Sequence, residues 1–243
     1  MKYKVLIPTS GTGSRLKGLT ANTNKSLIKV GGREALRYIV ESYKPDIPLV
    51  VTLGYFGDQV KSFLTQNYPD RVFEFVLVDK YDGPGSSLGY SMLQAKPNLQ
   101  CPFIFHACDG IFVEKIPAPE HNWIGGFVDN WVTTDLPLEH YRSHTMEDGR
   151  VLHFNEKGIS GFDSLHIGLD GIKDYKIWWK ALEDIYNKNP GDAQISDVPI
   201  LEAMLLLGVE FDRIAYKVWL DTGNSAALAR TDAYLTANQT ILN

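Results

Sequence analysis

Short apolar runs and longer mixed segments alternate through the first half of the chain. Four runs have the length and composition of buried strands: 3–7, 49–53, 72–78 and 103–105. The stretches between them that have a helical pattern lie near 33–43, 57–67 and 86–95. This βαβα order predicts an α/β fold with a mostly parallel sheet, helices on both faces and ligands at the carboxyl ends of the strands.

The pattern changes from about residue 111, where extended segments rich in Trp and His begin. Strands are predicted over 123–128 and 151–155 with a turn at 147–149, and we expect this part to be an elaboration over the sheet. Helices are predicted further on over 175–187, over 198–207 and from 225 onward. No internal repeat or break in composition appears, so the pattern predicts a single domain over 1–243.

Composition and charge restrict the kind of ligand. The chain has 44% hydrophobic and 22% charged residues, which is typical of a globular protein with a sizeable core. The net charge of -5 argues against a nucleic-acid or anionic-membrane surface. We expect no membrane span, signal peptide or disulfide framework, and therefore a cytoplasmic protein. A phosphate-rich ligand would need locally placed cations or a metal.

A glycine-rich loop over 8–15 follows the first predicted strand directly. Glycines let backbone N–H groups approach phosphate oxygens, and Arg15 adds a fixed positive fork. A Walker loop needs a lysine after its last glycine, but Leu19 follows Gly18. A dinucleotide fingerprint needs glycine or alanine where Leu16 stands. The loop taken alone is also compatible with a simple turn at the end of a strand.

Further candidates for phosphate chemistry lie along the chain. Lys25 stands ten residues beyond Arg15, ahead of an apolar stretch that ends in a Gly-Gly turn. Asp109 follows the strand predicted at 103–105, and Asp221 lies in a Trp-Leu-Asp-Thr-Gly segment. Carboxylates beside a triphosphate suit Mg²⁺, which binds few protein oxygens and keeps several waters or phosphate oxygens. Each aspartate is also explained by a local role, Asp109 in a turn and Asp221 as a helix cap.

Together these segments resemble the signature of the sugar-nucleotide pyrophosphorylases, a nucleotidyltransferase family that includes phosphocholine cytidylyltransferase-like members. The resemblance implies a Rossmann-like three-layer α/β/α nucleotidyltransferase fold. It also implies that Arg15 and Lys25 contact the phosphates as catalytic residues and that Asp109 and Asp221 hold Mg²⁺. Two departures, Thr9-Ser10 where the family has small residues and Asn24 where it commonly has proline, leave the choice of base open.

The resemblance further implies a set of binding residues. Those for the nucleotide are Pro8, Thr9, Ser10, Gly11, Thr12, Gly13, Ser14, Gly85 and Ser86. Those for the acceptor are Lys157 and Gly168. Some neighbouring residues are expected to be structural instead: His106, the helix-capping segment 194–197, and the tryptophans Trp131, Trp178 and Trp179.

The function expected from the resemblance is transfer of a nucleoside monophosphate from a nucleoside triphosphate to a phosphorylated acceptor. A sugar 1-phosphate used for surface (capsule) polysaccharide is the leading acceptor. Phosphocholine or another phosphorylated alcohol with CTP is the alternative. A non-catalytic nucleotide-binding regulatory domain and an NAD-dependent oxidoreductase are the rival classes. The expected partners are thus two phosphorylated small molecules, without nucleic acid or membrane, and the sequence carries no signal for oligomeric state.

Overall fold

The computed structural model of the chain describes residues 2–128 and 137–238. The strands in chain order are β1 Lys4–Pro8, β2 Lys29–Val30, β3 Arg33–Glu34, β4 Leu49–Leu53, β5 Phe73–Leu77, β6 Phe103–His106, β7 Gly110–Phe112, β8 Trp123–Phe127, β9 Ser143–Glu147, β10 Arg150–Asn155, β11 Ser164–Ile172, β12 Asp212–Tyr216 and β13 Trp219–Asp221. The α-helices are α1 Ala35–Glu41, α2 Gly57–Asn67, α3 Leu88–Ala95, α4 Tyr175–Lys188, α5 Asp197–Leu206 and α6 Ser225–Ala237. These bounds confirm every helix and strand predicted within the described residues.

One nine-stranded sheet runs through the molecule in the order β5-β4-β1-β6-β11-β8-β12-β10-β9. The first four of these strands are parallel to one another. Beyond β6 the neighbouring strands pair antiparallel, except β8 with β12. The mostly parallel sheet predicted from the βαβα pattern is therefore found in the first half, and the complete sheet is mixed.

The sheet is covered on both faces, as the predicted three-layer α/β/α architecture requires. Along β1, Val5 and Ile7 enter one hydrophobic core while Leu6 enters the other, because successive side chains of a strand point to opposite faces. Helices α1 and α2 pack on the first face, and α3, α4 and α5 pack on the second. Trp178 and Trp179 are buried in the second core, as expected, whereas Trp131 lies outside the described residues.

The extended segments in the second half of the chain do not lie over the sheet as predicted. Its strands β8 to β12 extend the sheet itself, since β11 pairs with β6 and continues the hydrogen-bonded order. The remaining strands form two small sheets, β2 with β3 and β13 with β7. Helix α6 packs against these through a third, smaller core. Among the described helices none is both long and apolar enough to cross a bilayer.

Candidate active site

A cavity of about 620 Å³ opens beside the carboxyl ends of β1 and β6. The sequence-predicted residues that line it are Pro8, Ser10, Gly11, Thr12, Ser14, Arg15, Lys25, Ser86, Asp109, Lys157, Gly168 and Asp221. These residues come from distant parts of the chain, and the strand order described above brings them to one place. The cavity is therefore the candidate active site.

The glycine loop turns sharply at Gly13 to enter a 3-10 helix at Ser14–Thr20. Gly13 has φ +67°, a left-handed conformation that favours glycine. A Cβ atom there would lie 2.9 Å from the Cβ of Lys25, so close packing also requires glycine at this position. The turn thus places the start of the 3-10 helix, which carries Arg15, next to the segment that carries Lys25.

The Asn24 side chain holds the segment that carries Lys25 against the glycine loop. Its fully buried side chain donates from Nδ2 to the carbonyl oxygens of Thr9 and Tyr55, at 2.9 and 2.6 Å. Its Oδ1 accepts from the backbone N–H and the hydroxyl of Ser26, at 3.0 and 2.8 Å. A proline has no side chain that can make these contacts. The departure from the family pattern therefore has a structural role, which is to hold the loop and Lys25 in register.

The Thr9-Ser10 departure forms a second buried network. Thr9 Oγ1 donates to the carbonyl of Thr52 at 2.6 Å, which ties the loop to β4. Ser10 Oγ donates to Ser91 Oγ at 2.9 Å and accepts from Thr52 Oγ1 at 3.3 Å. Buried hydroxyls need such partners, and here each one finds another hydroxyl or a carbonyl. The variation is matched by polar residues on β4 and α3.

Asp109 is the electrostatic centre of the cavity. Its Oδ2 lies 3.0 Å from Lys25 Nζ and 3.7 Å from the Arg15 guanidinium. Burial alone would raise the pKa of this carboxyl, but Lys25, Arg15 and a backbone hydrogen bond together outweigh burial and lower that pKa. Burial alone would likewise lower the pKa of Lys25, and Asp109 raises it instead. Both groups are therefore charged at neutral pH, while Arg15, with its side chain 64% exposed, remains free to turn toward a ligand.

The small β7–β13 sheet brings the second aspartate to the same place. Asp221 pairs in register with Gly110, the residue after Asp109. Thr222 then donates from its backbone N–H to the carbonyl of Asp109 at 2.8 Å and from its hydroxyl at 3.1 Å. The two aspartates predicted from separate motifs are thus held together by the backbone.

Asp221 is surrounded differently from Asp109. Its Oδ1 accepts from the Gly223 N–H at 2.7 Å, and its Oδ2 accepts from the Tyr141 hydroxyl at 2.6 Å. Burial, and then the nearby charge of Asp109, raise the pKa of Asp221. A Cβ on Gly223 would lie 3.0 Å from Asp221 Oδ1 and 3.2 Å from Asp109 Oδ2, which shows how near the two carboxylates come. Glycine here leaves the space between them open.

Three predicted nucleotide-binding residues do not line the cavity. Thr9 is fully buried because its side chain turns toward β4, and Gly13 lies against Lys25. Gly85, with φ +83°, shapes the turn that leads to Ser86.

Other residues line the cavity without having been singled out from the sequence. They are Tyr81, Ser87, Leu88, Ser91, Phe105, Ala107, Cys108, His140, Tyr141, Arg142, His166, Ile167, Ala193, Ser196, Asp197, Val198 and Trp219. Ser196 and Asp197 belong to the segment expected to act only as a helix cap; Ser196 is the N-cap residue of α5, and both residues also line the cavity. The alternation Leu165-x-Ile167-x-Leu169 is a strand signal that would have pointed to His166.

His106 has the structural role that was expected. It is fully buried on β6, with Nδ1 2.7 Å from the Tyr43 hydroxyl and Nε2 2.9 Å from the carbonyl of Gly110. Burial lowers its pKa to about 4, so the ring is neutral at physiological pH. Its contacts support the turn that carries Asp109.

Known proteins resemble this chain in sequence, two of them over most of its length. No protein-family model matches it. A bifunctional IPC transferase and DIPP synthase of Archaeoglobus fulgidus is 23% identical over 237 residues, 96% of this chain and 44% of that protein. A bifunctional protein GlmU of Methanococcus vannielii is 23% identical over 96% of this chain and 55% of its own length. A choline-phosphate cytidylyltransferase of Streptococcus pneumoniae is 28% identical over 45% of this chain and 46% of its own length. The chain thus spans about half the length of these curated relatives.

Solved structures share the fold. A putative glucose-1-phosphate thymidylyltransferase from Bacillus anthracis superimposes with a TM-score of 0.73 at 20% identity, over 96% of this chain and 95% of that chain. The inositol-1-phosphate CTP transferase from T. maritima gives 0.74 at 17% identity, over 98% and 95%. The proteins related to this chain in sequence and in structure are therefore nucleotidyltransferases, as the sequence motifs predicted, and the chain has their fold.

Proposed function

We propose that this chain transfers a nucleoside monophosphate from a nucleoside triphosphate to a phosphorylated small-molecule acceptor and releases pyrophosphate. The observation that carries the proposal is the convergence of Lys25 and Arg15 on Asp109, beside Asp221, under a glycine loop. The cations and the backbone N–H groups of the glycine loop on one wall suit a triphosphate, and the adjacent carboxylates suit the metal ion that accompanies it. A cytoplasmic location, where nucleoside triphosphates are made, belongs to the same proposal.

The reaction needs positioning and charge neutralisation more than proton transfer. An oxygen of the acceptor phosphate, already an anion at neutral pH, forms a bond to the α-phosphorus while the bond from that phosphorus to the bridging oxygen breaks. Pyrophosphate leaves with the electron pair. Arg15 and Lys25 would bind the phosphates, stabilise charge on the leaving group and hold the reacting atoms in line.

Asp109 and Asp221 fit a magnesium ion. Their carboxylates approach a common space at Gly223, and the charge of Asp109 raises the pKa of Asp221, a repulsion that a divalent cation relieves. Lys25 and Arg15 form ion pairs with Asp109, whereas Asp221 has no ion-pair partner among the described residues and feels the charge of Arg15 only at longer range. When bound, Mg²⁺ would supply charge neutralisation for the triphosphate oxygens. Asp109 and Asp221 would hold it, and the Tyr141 hydroxyl would orient Asp221.

Two cations of the cavity wall would bind the acceptor phosphate, and one of them, Arg142, is paired with Glu156 at 3.0 Å. Arg142 and Lys157 line the cavity wall, and Lys157 is exposed there. A sugar or polyol 1-phosphate is the leading acceptor, supported by the thymidylyltransferase and inositol-1-phosphate neighbours. The product would then be a nucleotide-activated sugar of the kind consumed in surface polysaccharide synthesis.

Phosphocholine is the second candidate acceptor, because aromatic rings line the same cavity. Tyr141 and Trp219 meet edge to face with ring centroids 5.2 Å apart. Aromatic faces attract a quaternary ammonium group. The cytidylyltransferase of S. pneumoniae is the relative that supports this choice.

Pyrophosphate release from a panel of four nucleoside triphosphates and several phosphorylated acceptors tests the proposal. Substitutions Asp109→Asn and Asp221→Asn should each lower the rate by on the order of 10²–10³-fold, since each removes a preorganised charge. Asp70→Asn, at an exposed position away from the cavity, serves as the matched control and should keep the wild-type rate. Near-full activity of both cavity variants would overturn the site assignment. Triphosphate binding without release for any acceptor would favour a regulatory domain.

A further inference from the structure

Two carboxylates and an imidazole meet beside the cavity in a cluster that the proposed reaction does not use. His166 and Asp170 lie on β11, and Asp197 is the first residue of α5. One ligand atom from each lies within 4.8 Å of the other two. The closest pair is His166 Nε2 and Asp197 Oδ2, at 2.7 Å.

Asp170 is the residue that a packing role does not explain. It is fully buried, and among the described residues neither of its carboxylate oxygens has a hydrogen-bond partner. Burial of a carboxylate without partners is costly, so such groups are normally paired, hydrogen-bonded or bound to a metal. The cluster therefore lacks a component that would satisfy Asp170.

The backbone of β11 presents the cluster to one side. Leu165, Ile167 and Leu169 enter the core on one face of the sheet, so the alternate residues His166 and Asp170 point to the other face. The register between β11 and β8 shifts between these two positions, where Gly168 has φ +66°. An irregularity of this kind changes the direction of nearby side chains. Here it lies between His166 and Asp170, whose ligand atoms both lie close to that of Asp197, the first residue of α5.

Contacts outside the cluster orient the imidazole. His166 Nδ1 lies 3.3 Å from His144 Nε2, and His144 Nδ1 lies 3.1 Å from Ser164 Oγ. Partners of this kind fix the ring so that its other nitrogen faces a metal. No lysine or arginine pairs with either carboxylate in the described part of the chain, and the neighbouring Arg142 instead pairs with Glu156 at 3.0 Å.

We propose that His166, Asp170 and Asp197 form a second divalent metal site, separate from Asp109 and Asp221, whose donor set suits a transition metal and Zn²⁺ best. Imidazole nitrogen and carboxylate oxygen are both ordinary zinc ligands, whereas Mg²⁺ prefers oxygen alone. A 2+ ion balances the two carboxylates. His166 and Asp197 line the cavity, which provides the entry path, and three protein ligands leave a coordination position open.

The test is metal binding by the whole chain, independent of nucleotidyl transfer. Chelator-treated protein is titrated with Zn²⁺ against a chromophoric competitor, and with Co²⁺ as a spectroscopic probe of the ligand geometry. One tight Zn²⁺ is expected per chain. Asp170→Asn, which keeps the side-chain shape, should weaken Zn²⁺ binding at least about 100-fold. The reason is that loss of a residue that only hydrogen-bonds to a metal ligand already lowers metal affinity about 10–100-fold.

Matched variants separate this site from the rest of the molecule. His121→Ala removes the imidazole of an exposed His–Asp pair, with Asp212 3.3 Å away, and should bind Zn²⁺ as the wild type does. The variant Asp109→Asn, Asp221→Asn should also keep the tight Zn²⁺ even when transferase activity is lost. These two results distinguish failure of the metal site from failure of the proposed function.

Folding is followed by circular dichroism and thermal unfolding. Zn²⁺ should raise the Tm of the wild type and leave that of Asp170→Asn unchanged, since only the site-competent protein gains stability from the ion. If Asp170→Asn does not fold, Asp197→Asn, which changes a residue that lines the cavity, is used instead, and the same loss of Zn²⁺ affinity is expected. Wild-type protein without tight Zn²⁺, or equal Zn²⁺ affinity in the wild type and the folded variant, overturns the proposal.

Discussion

Tyr141 shows how one hydroxyl can set the properties of the candidate metal site. It donates to Asp221 Oδ2 at 2.6 Å, and this bond lowers the pKa of a carboxyl that burial and Asp109 raise. Tyr141→Phe should therefore raise the pKa of Asp221 further. We expect the Mg²⁺ concentration needed for half-maximal rate to increase about 10-fold or more. We also expect the acid limb of the rate–pH profile to move to higher pH.

A matched control exists elsewhere on the chain. Tyr68 donates to Glu41 Oε1 at 2.9 Å on an exposed surface. Tyr68→Phe removes the same kind of tyrosine–carboxylate bond away from the cavity, so it should leave both the Mg²⁺ dependence and the pH profile unchanged. Equal profiles for Tyr141→Phe and the wild type would show that this bond does not tune the site.

Some residues of the candidate site can be predicted from the sequence far better than others. Lys25, Asp109 and Asp221 each belong to a local motif at the end of a strand or beside a glycine turn, and the structure places them together. Tyr141 carries no such mark, because it reaches Asp221 only through tertiary packing. The buried partner of the Thr9 hydroxyl, the carbonyl of Thr52, likewise lies on β4, 43 residues away. Contacts between distant segments are not visible in local spacing.

Between elements, Gly89 controls how the start of α3 meets the segment before α5. Its N–H donates to the carbonyl of Ile195 at 2.8 Å. A Cβ at this glycine would lie 2.2 Å from Ile195 Cγ2, a distance that real Cβ atoms do not show. Gly89→Ala should therefore destabilise the protein by about 1–3 kcal/mol through overpacking, despite the better helix propensity of alanine. Urea unfolding measures this loss.

Two further variants test whether the clash with Ile195 causes the loss of stability in Gly89→Ala. Gly191→Ala places its Cβ no closer than 3.9 Å to another side-chain atom and should change the stability little. Ile195→Ala removes the clashing Cγ2, so Gly89→Ala should cost less in that background. The same full cost in both backgrounds would mean that α3 loses stability for another reason.

The element scale also shows where pattern analysis succeeds. Long apolar runs such as β1 and β4 are buried on both faces and stand out in the sequence. Strand β11 contains glycines, a histidine and a buried aspartate, so only its alternation marks it as a strand. The sequence does not state that β11 pairs with β6, and this pairing turns the expected elaboration into the second half of the sheet.

Over the whole molecule, the sheet joins the parallel half that carries the glycine loop to the mixed half that carries Tyr141, His166 and Lys157. The first hydrophobic core crosses this junction, from Val5 and Ile104 to Leu169 and Tyr216. The two walls of the cavity thus share one sheet and one core. From this continuity we expect them to unfold together as the single domain predicted from the sequence.

Calorimetry tests that continuity. We expect one unfolding transition, with equal calorimetric and van't Hoff enthalpies of about 170 kcal/mol at about 0.7 kcal/mol per residue. Leu169→Ala, at a fully buried position where β11 meets β6, should lower stability by about 2–5 kcal/mol and shift the whole transition downward. Two resolved transitions, or a shift of only part of the heat absorption in Leu169→Ala, would mean that the halves unfold separately. The sheet continues without a break from β5 to β9, so unfolding of one half alone would expose a buried strand edge of the other half. A single transition is therefore the expected result.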